Sequence, residues 1–469
     1  MTIILENMDH KIRKTATWIM LVCFMLTTIS SQAMPRRKRD RVLQYFQHAL
    51  QQDQQLQQVP KYRLKPNEIN NCRKEVWQLW VQATRYAGKN ICDGLLPLEQ
   101  ADTVSWHIPD SLEPHAWMTF YRGTKGDGAA CPAGRWPMFL YLHGSGPKAQ
   151  EWATGLKLGL RFDDAPSLYF IPRIPNESGY YRWWQRGKQY VWKRLLREVL
   201  TSGYVDANRL YVFGISEGGY GSQRLASFYA DYWAAAGPMA GGEPLINAPA
   251  ENCSNLGFSL LTGSEDHGFY RNQLTKYTKA AFDSLQRAYP GFYSHRIALI
   301  PGAGHGIDYT PTTPWLKDYV RNPYPKFLNW ENFEMDGAYR DGFYNLQVLA
   351  QSDEGKGERT RYLMRIEGNT VHLNVDIVKY QATEVDPKWG IELNFRKSYR
   401  AATRGKMRIY LSNELVDLSR DVTLLVNGKK VYQGRLQSDV QNMVNSCVLF
   451  SDPYRIYPAA ITIDLSQID

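Results

Sequence analysis

The chain has 469 residues, 43% of them hydrophobic, more than one domain of usual size needs, so two domains plus an N-terminal extension are expected. Its net charge of +10 mildly favours acidic partners. The basic residues are scattered except for Arg36-Arg37-Lys38-Arg39, which reads as a solvated tail and not as a nucleic-acid site.

Residues 1–33 read as a signal peptide. Lys11, Arg13 and Lys14 form a positive lead, and Ala16 to Ile29 is an apolar run too short to span a bilayer comfortably. Ser31-Gln32-Ala33 then offers a small-x-small cleavage pattern, so the mature chain is expected to start at Met34 with no stable membrane span. An uncleaved anchor is the alternative. Either way the protein is expected to be exported: periplasmic, envelope-associated or secreted. Beyond Cys23, inside this segment, stand Cys72, Cys92, Cys131, Cys253 and Cys447. The count is odd, so at least one thiol is unpaired or pairs with another molecule; Cys72 with Cys92 is a candidate disulfide. No two cysteines stand at metal-site spacing, and no zinc is expected.

Residues 34–100 form a polar, mostly helical N-terminal extension. The stretch QHALQQDQQLQQ reads as an exposed helix or an unstructured lead. Asn67 is a candidate cap for a helix that places Val76, Leu79, Trp80 and Ala83 on one face.

From residue 101 to 334 strands and helices alternate. MFLYLH, SLYFIP, RLYVFGIS, LGFSLLTG and RIALIPG are continuous apolar runs that read as buried strands. Between them lie helical stretches such as KQYVWKRLLREVLTSG, with Val191, Leu195 and Val199 four apart. This pattern predicts an α/β fold with a doubly wound, mostly parallel sheet covered on both faces.

Near residue 334 the pattern changes. VHLNVDIV alternates, and VTLLVNGKKVYQG carries Asn427-Gly428, suited to a two-residue type I′ turn. Residues 335–469 are therefore expected to form a smaller, all-β, sandwich-like domain of about seven strands without a helix. No pattern specifies an oligomeric state.

The chemistry centres on Gly214-Ile215-Ser216-Glu217-Gly218. A serine between a strand and a helix, with small residues two before and two after, can stand on a tight elbow. The following helix offers backbone N–H groups to a developing oxyanion. A serine hydroxyl needs a base and a group that orients that base. Asp266, after LGFSLLTGSE, and His305, after RIALIPG, follow Ser216 in the order such folds require. Glu265 and Asp308 are alternative acids, and His267 is an alternative base. Expected oxyanion donors are the N–H of Glu217 and that of Gly144 or Ser145, in His143-Gly144-Ser145-Gly146; His143 itself is expected to be structural. Tyr180, Tyr181, Trp183 and Trp184 border the expected site, and either stack on a sugar or phenolic ring or pack as a lid.

The HGxG loop, the GISEGG elbow, the TGSED acid loop and the GAGHG histidine loop together resemble secreted serine esterases of the α/β-hydrolase superfamily. The likeness is to the polyhydroxybutyrate-depolymerase, feruloyl-esterase and dienelactone-hydrolase-like group, over about residues 135 to 310. The tail resembles a β-domain appended to some such envelope hydrolases. The expectation is a serine ester hydrolase with Ser216, Asp266 and His305 as its triad and no cofactor or metal, acting on a small-molecule or glycan ester. A prolyl-oligopeptidase-like peptidase and a non-catalytic hydrolase-shaped binding protein are the alternatives.

Overall fold

The computed structural model describes residues 34–468, apart from 52–58, 60, 87, 354 and 356. The expected signal peptide, with Cys23, lies outside the described residues, as does much of the glutamine-rich stretch.

The extension opens with α1 (Arg36–Leu50) and α2 (Ile69–Arg85). The basic run is not a tail but the first turn of α1, where Lys38 sits 3.7 Å over the Tyr62 ring and Arg39 pairs with Glu75 at 2.7 Å. Val76, Leu79, Trp80 and Ala83 are the buried face of α2, as their spacing predicts. Asn67 does not cap it. A short turn at Pro66–Glu68 precedes the helix, closed by the Lys65 N–H donating to Glu68 at 2.8 Å.

The larger sheet contains β1 (Asp102–His107), β2 (Trp117–Lys125), β3 (Trp136–Leu142), β4 (Ser167–Arg173), β5 (Val205–Ile215), β6 (Ala235–Met239), β7 (Gly257–Gly263) and β8 (His295–Ile300). Between them run α3 (Lys148–Arg161), α4 (Arg186–Thr201), α5 (Glu217–Phe228) and α6 (Arg271–Ala288), with α7 (Thr312–Lys317) after β8. The strand order is β1-β2-β4-β3-β5-β6-β7-β8, antiparallel at β1, β2 and β4 and parallel from β4 onward. This is the doubly wound arrangement expected. β3 shows why its sequence is apolar without interruption. Met138, Leu140 and Leu142 point into one core and Phe139 and Tyr141 into the other, so both faces of the strand are buried.

The remaining strands are β9 (Phe327–Asn332), β10 (Gly342–Phe343), β11 (Leu346–Ala350), β12 (Glu358–Glu367), β13 (Thr370–Val385), β14 (Glu392–Ala401), β15 (Lys406–Leu411), β16 (Val422–Val426), β17 (Lys429–Gly434) and β18 (Ala459–Asp464). One sheet runs β17-β16-β13-β12-β9 with β14 paired to β13; the other runs β10-β11-β15-β18. Asn427 and Gly428 both take positive φ, 49° and 81°, and close the β16–β17 hairpin as a type I′ turn requires. The β region is not helix-free: α8 (Val440–Phe450) interrupts it. Val444 and Cys447 of α8 share a core with Phe46 of α1 and with Cys72, Val76 and Trp80 of α2. The helical extension thus packs against the C-terminal part of the chain.

That core also corrects the disulfide expectation. Cys72 belongs to it, whereas Cys92 lies in the main core beside the sheet, and all five cysteines of the described residues are free and buried. A second long-range tie is ionic. Asp231, after α5, accepts from Arg340 at 2.9 Å and from Arg455; Asp452 accepts from Arg321 at 2.6 Å and Arg455 at 2.9 Å, all of them buried.

Candidate active site

β5 delivers Ser216 at a sharp reversal into α5, where its φ is 57° and ψ is −113°. A non-glycine residue holds such a conformation only when its surroundings impose it. Here the backbone is pinned by Ser216 N–H donating to Met239 O at 3.0 Å and by Tyr220 N–H donating to Ser216 O at 3.0 Å. The flanking glycines are sterically required. A Cβ on Gly218 would collide with the Leu142 carbonyl of β3, and one on Gly214 with the Gly218 carbonyl.

The loops after β7 and β8 are sewn together by Glu265 N–H donating to Ala303 O at 2.9 Å and Ser264 N–H to Ile300 O at 2.9 Å. This brings Asp266 and His305 to one place above the sheet. His305 Nε2 lies 3.0 Å from Ser216 Oγ, and its Nδ1 lies 2.7 Å from Asp266 Oδ2. Asp266 is 3% exposed and its other oxygen, Oδ1, accepts from Arg271 at 2.7 Å. The alternatives stand elsewhere: Glu265 pairs with the exposed His267 at 3.2 Å, and Asp308 bonds Thr310.

His143 is buried and neutral. Its Nε2 accepts from Ile174 N–H at 3.1 Å, which leaves the Nδ1 proton for Gly144 O at 2.8 Å, and burial holds its pKa down at about 4. Its role is to shape the turn after β3. The Gly144 N–H acts on the Glu151 carboxyl, opposing the upward push of burial on that group. Ser145 lies on the wall shared with Ser216 and Glu217.

That wall encloses a cavity of about 330 Å³, also lined by Trp184, Tyr220 and Phe269. Glu217 is buried, paired with Arg182 at 3.3 Å, and burial lifts its carboxyl to about 7; Arg182 pulls it down and Glu243 adds to the rise. Arg224 grips Glu243 at 2.7 and 3.1 Å while lying 3.8 Å over the Trp184 ring. Glu217 Oε1, Tyr220 Oη and Arg271 Nε are buried with no hydrogen-bond partner among the described residues.

The aromatic run divides three ways. Trp184 faces the cavity. Trp183 does not: it is 0% exposed, donates Nε1–H to His143 O at 3.0 Å and packs edge-on against the His143 ring, so it cannot stack on a substrate. Tyr181 is also buried, and its hydroxyl contacts Gly144 O at 2.9 Å and Gly146 O at 3.0 Å, bracing the loop after β3. Tyr180 is exposed on the surface outside the cavity lining. Sequence reasoning did not single out Arg182, Tyr220, Phe269, Arg271 or Ile391 as site residues, although all five line the cavity. Arg271 carries the one local signal, standing five residues after Asp266.

No protein-family model matches the chain. A curated protein, feruloyl esterase B of Thermothelomyces thermophilus, is 23% identical over 209 residues, which cover 42% of this chain and 66% of that protein. The match thus spans just under two thirds of that relative's length. A solved ferulic acid esterase of Anaeromyces mucronatus is 14% identical, with a TM-score of 0.32, covering 50% of this chain and 93% of its own. A fluorophosphonate-binding serine hydrolase of Staphylococcus aureus is 13% identical, with a TM-score of 0.33, covering 46% and 95%. By its own strand order and its elbow at Ser216, the chain has the α/β-hydrolase fold, and the proteins it is similar to are named as feruloyl or ferulic acid esterases and a serine hydrolase.

Proposed function

We propose that the chain is a serine hydrolase of carboxylic esters, with Ser216 as nucleophile, His305 as base and then acid, and Asp266 as the group that orients His305. The observation that carries this reading is the continuous relay from Ser216 Oγ to His305 Nε2 at 3.0 Å and from His305 Nδ1 to Asp266 at 2.7 Å.

Asp266 keeps the His305 proton on Nδ1, so the Nε2 lone pair faces the serine hydroxyl. Nε2 takes the Oγ proton as Oγ bonds to the ester carbonyl carbon. The resulting oxyanion is met by backbone N–H groups of Glu217, at the free N-terminus of α5, and of Ser145, since the Gly144 N–H is turned to Glu151. His305 returns the proton to the alcohol oxygen, the C–O bond breaks and the alcohol leaves. Water then adds to the acyl-enzyme by the same route, and the acid departs with Ser216 restored. No step calls on a metal or an organic cofactor.

Two supports extend the reading to acyl or phenolic esters of glycans, handled by an exported protein. One is the leader-like composition of residues 1–33; the other is the name of the fungal relative.

Labelling with a fluorophosphonate probe tests the nucleophile: the wild type is labelled and Ser216→Ala is not. An unlabelled wild type sinks the reading. Acetyl, feruloyl and longer acyl esters, compared with aminoacyl arylamides, define the class; cleavage of the arylamides alone moves it to a peptidase.

A further inference from the structure

Ile391 lines the cavity around Ser216, although it belongs to the C-terminal β region, in the turn between β13 and β14. This turn, residues 386–391, is closed by hydrogen bonds at both ends. Asp386 N–H donates to Ile391 O at 2.8 Å, and the Asp386 carboxylate accepts from Trp389 N–H at 2.5 Å. The same carboxylate accepts from the Tyr270 hydroxyl, while Glu384 accepts from Gln273 at 2.6 Å and from the Tyr277 hydroxyl at 2.5 Å. The hairpin therefore grips the first turns of α6 and Tyr270 just before them.

The segment that leads into α6 is strained. Phe269 and Tyr270 take φ of 50° and 60° in succession, costing on the order of 1–3 kcal/mol each unless the surroundings compensate. The result is an exposed ring at the cavity mouth. Phe269 is 54% exposed and Trp389 is 59% exposed, with centroids 6.0 Å apart. Lys388 Nζ stands 4.9 Å from the Trp389 centroid, and the Arg271 guanidinium 5.5 Å from that of Phe269.

We propose that residues 386–391 are a substrate-positioning arm, in which Trp389 and Phe269 form a ledge for a ring carried by the part of the ester that lies outside the cavity. The proposal rests on the reading of Ser216 as the nucleophile of an ester hydrolase. The cavity of about 330 Å³ takes the part of the ester next to Ser216. The remainder of a larger ester crosses the rim, where the arm supplies the large exposed aromatic surface. An indole face accepts either an aryl ring or the C–H face of a sugar, and the flanking Lys388 suits hydroxyl groups at the ring edge.

The test takes kcat/KM for phenyl acetate, acetylated xylobiose and methyl cinnamate, each divided by that for ethyl acetate. These place the ring in an aryl alcohol, a sugar alcohol or the acyl group. In Trp389→Ala at least one ratio falls about 5- to 20-fold, through KM, and Trp389→Phe recovers most of it. Three ratios within roughly two-fold of wild type overturn the arm. Calorimetric binding of phenol, xylobiose and cinnamate to Ser216→Ala, with and without Trp389→Ala, reads the ledge apart from turnover. Weaker binding of one compound on loss of Trp389 supports it, even if the wild type cleaves no ester and the esterase reading alone fails. Equal binding, or none, overturns it.

Discussion

Arg271 and Asp266 are joined at 2.7 Å through Oδ1, the carboxylate oxygen that His305 leaves free. Asp266 is thus held on both sides, by the His305 imidazole and by a guanidinium planted at the start of α6. A carboxylate with one fixed oxygen can still rotate; with two it cannot.

We predict that Arg271→Met lowers kcat about ten-fold with a smaller change in KM, equivalent to about 1.4 kcal/mol of lost orientation. Arg271→Lys, which keeps the charge without the planar fork, should fall between the two. Steady-state kinetics on any ester the wild type cleaves checks this. A change confined to KM would show that Arg271 contacts substrate and does not position the acid.

A second prediction concerns pH. Burial lifts the Glu217 carboxyl to about 7 from its ordinary 4.5. A carboxyl raised in the folded state favours folding while it stays protonated in both states, below about 4.5, and that contribution is lost as pH rises through about 7. Relative to Glu217→Gln, the wild type should therefore lose up to roughly 3 kcal/mol between about pH 5 and about pH 8. Urea midpoints of the two proteins at both pH values measure it; parallel curves would refute the assignment.

The elbow offers a steric prediction. Gly218→Ala drives a methyl into the Leu142 carbonyl, whereas a methyl at Gly179 meets open space. Urea unfolding should show Gly218→Ala destabilised by about 3 kcal/mol or more, and Gly179→Ala nearly unchanged. Equal effects would mean that β3 and α5 are not in the close contact described.

The buried ion network makes the fourth prediction. Asp231→Ala strands Arg340 and half of Arg455 in the interior, so a loss of about 3–5 kcal/mol is expected by calorimetry. Because Asp231 follows α5 and Arg455 follows α8, the same substitution should loosen the C-terminal part from the hydrolase sheet and broaden or split the transition. An unaltered single transition would disprove the tie.

Much of the fold was legible in the chain. The runs MFLYLH and LGFSLLTG read as buried parallel strands because both of their faces are apolar, and β3 and β7 are those strands. Asn427-Gly428 specified its turn because few other pairs tolerate two positive φ values. The α8 interruption was missed, since VQNMVNSCVLF is as consistent with a short strand as with a helix until α1 and α2 cover it. The disulfide expectation failed for a related reason. Residue spacing does not say that Cys72 and Cys92 enter different cores.

What the sequence by itself determined is the order and local seating of Ser216, Asp266 and His305. Ser216 between its glycines, Asp266 after β7 and His305 after β8 are set by sterics and hydrophobic pattern, which act between near neighbours. Only the tertiary structure decided what surrounds them. Trp183 turns inward while Trp184 faces the cavity, Arg271 reaches Asp266, and Ile391 arrives from a distant hairpin. The tryptophans and Ile391 are placed by packing between segments far apart in the chain, and Arg271 by the turn that starts α6, so no local preference alone selects one side chain over the next.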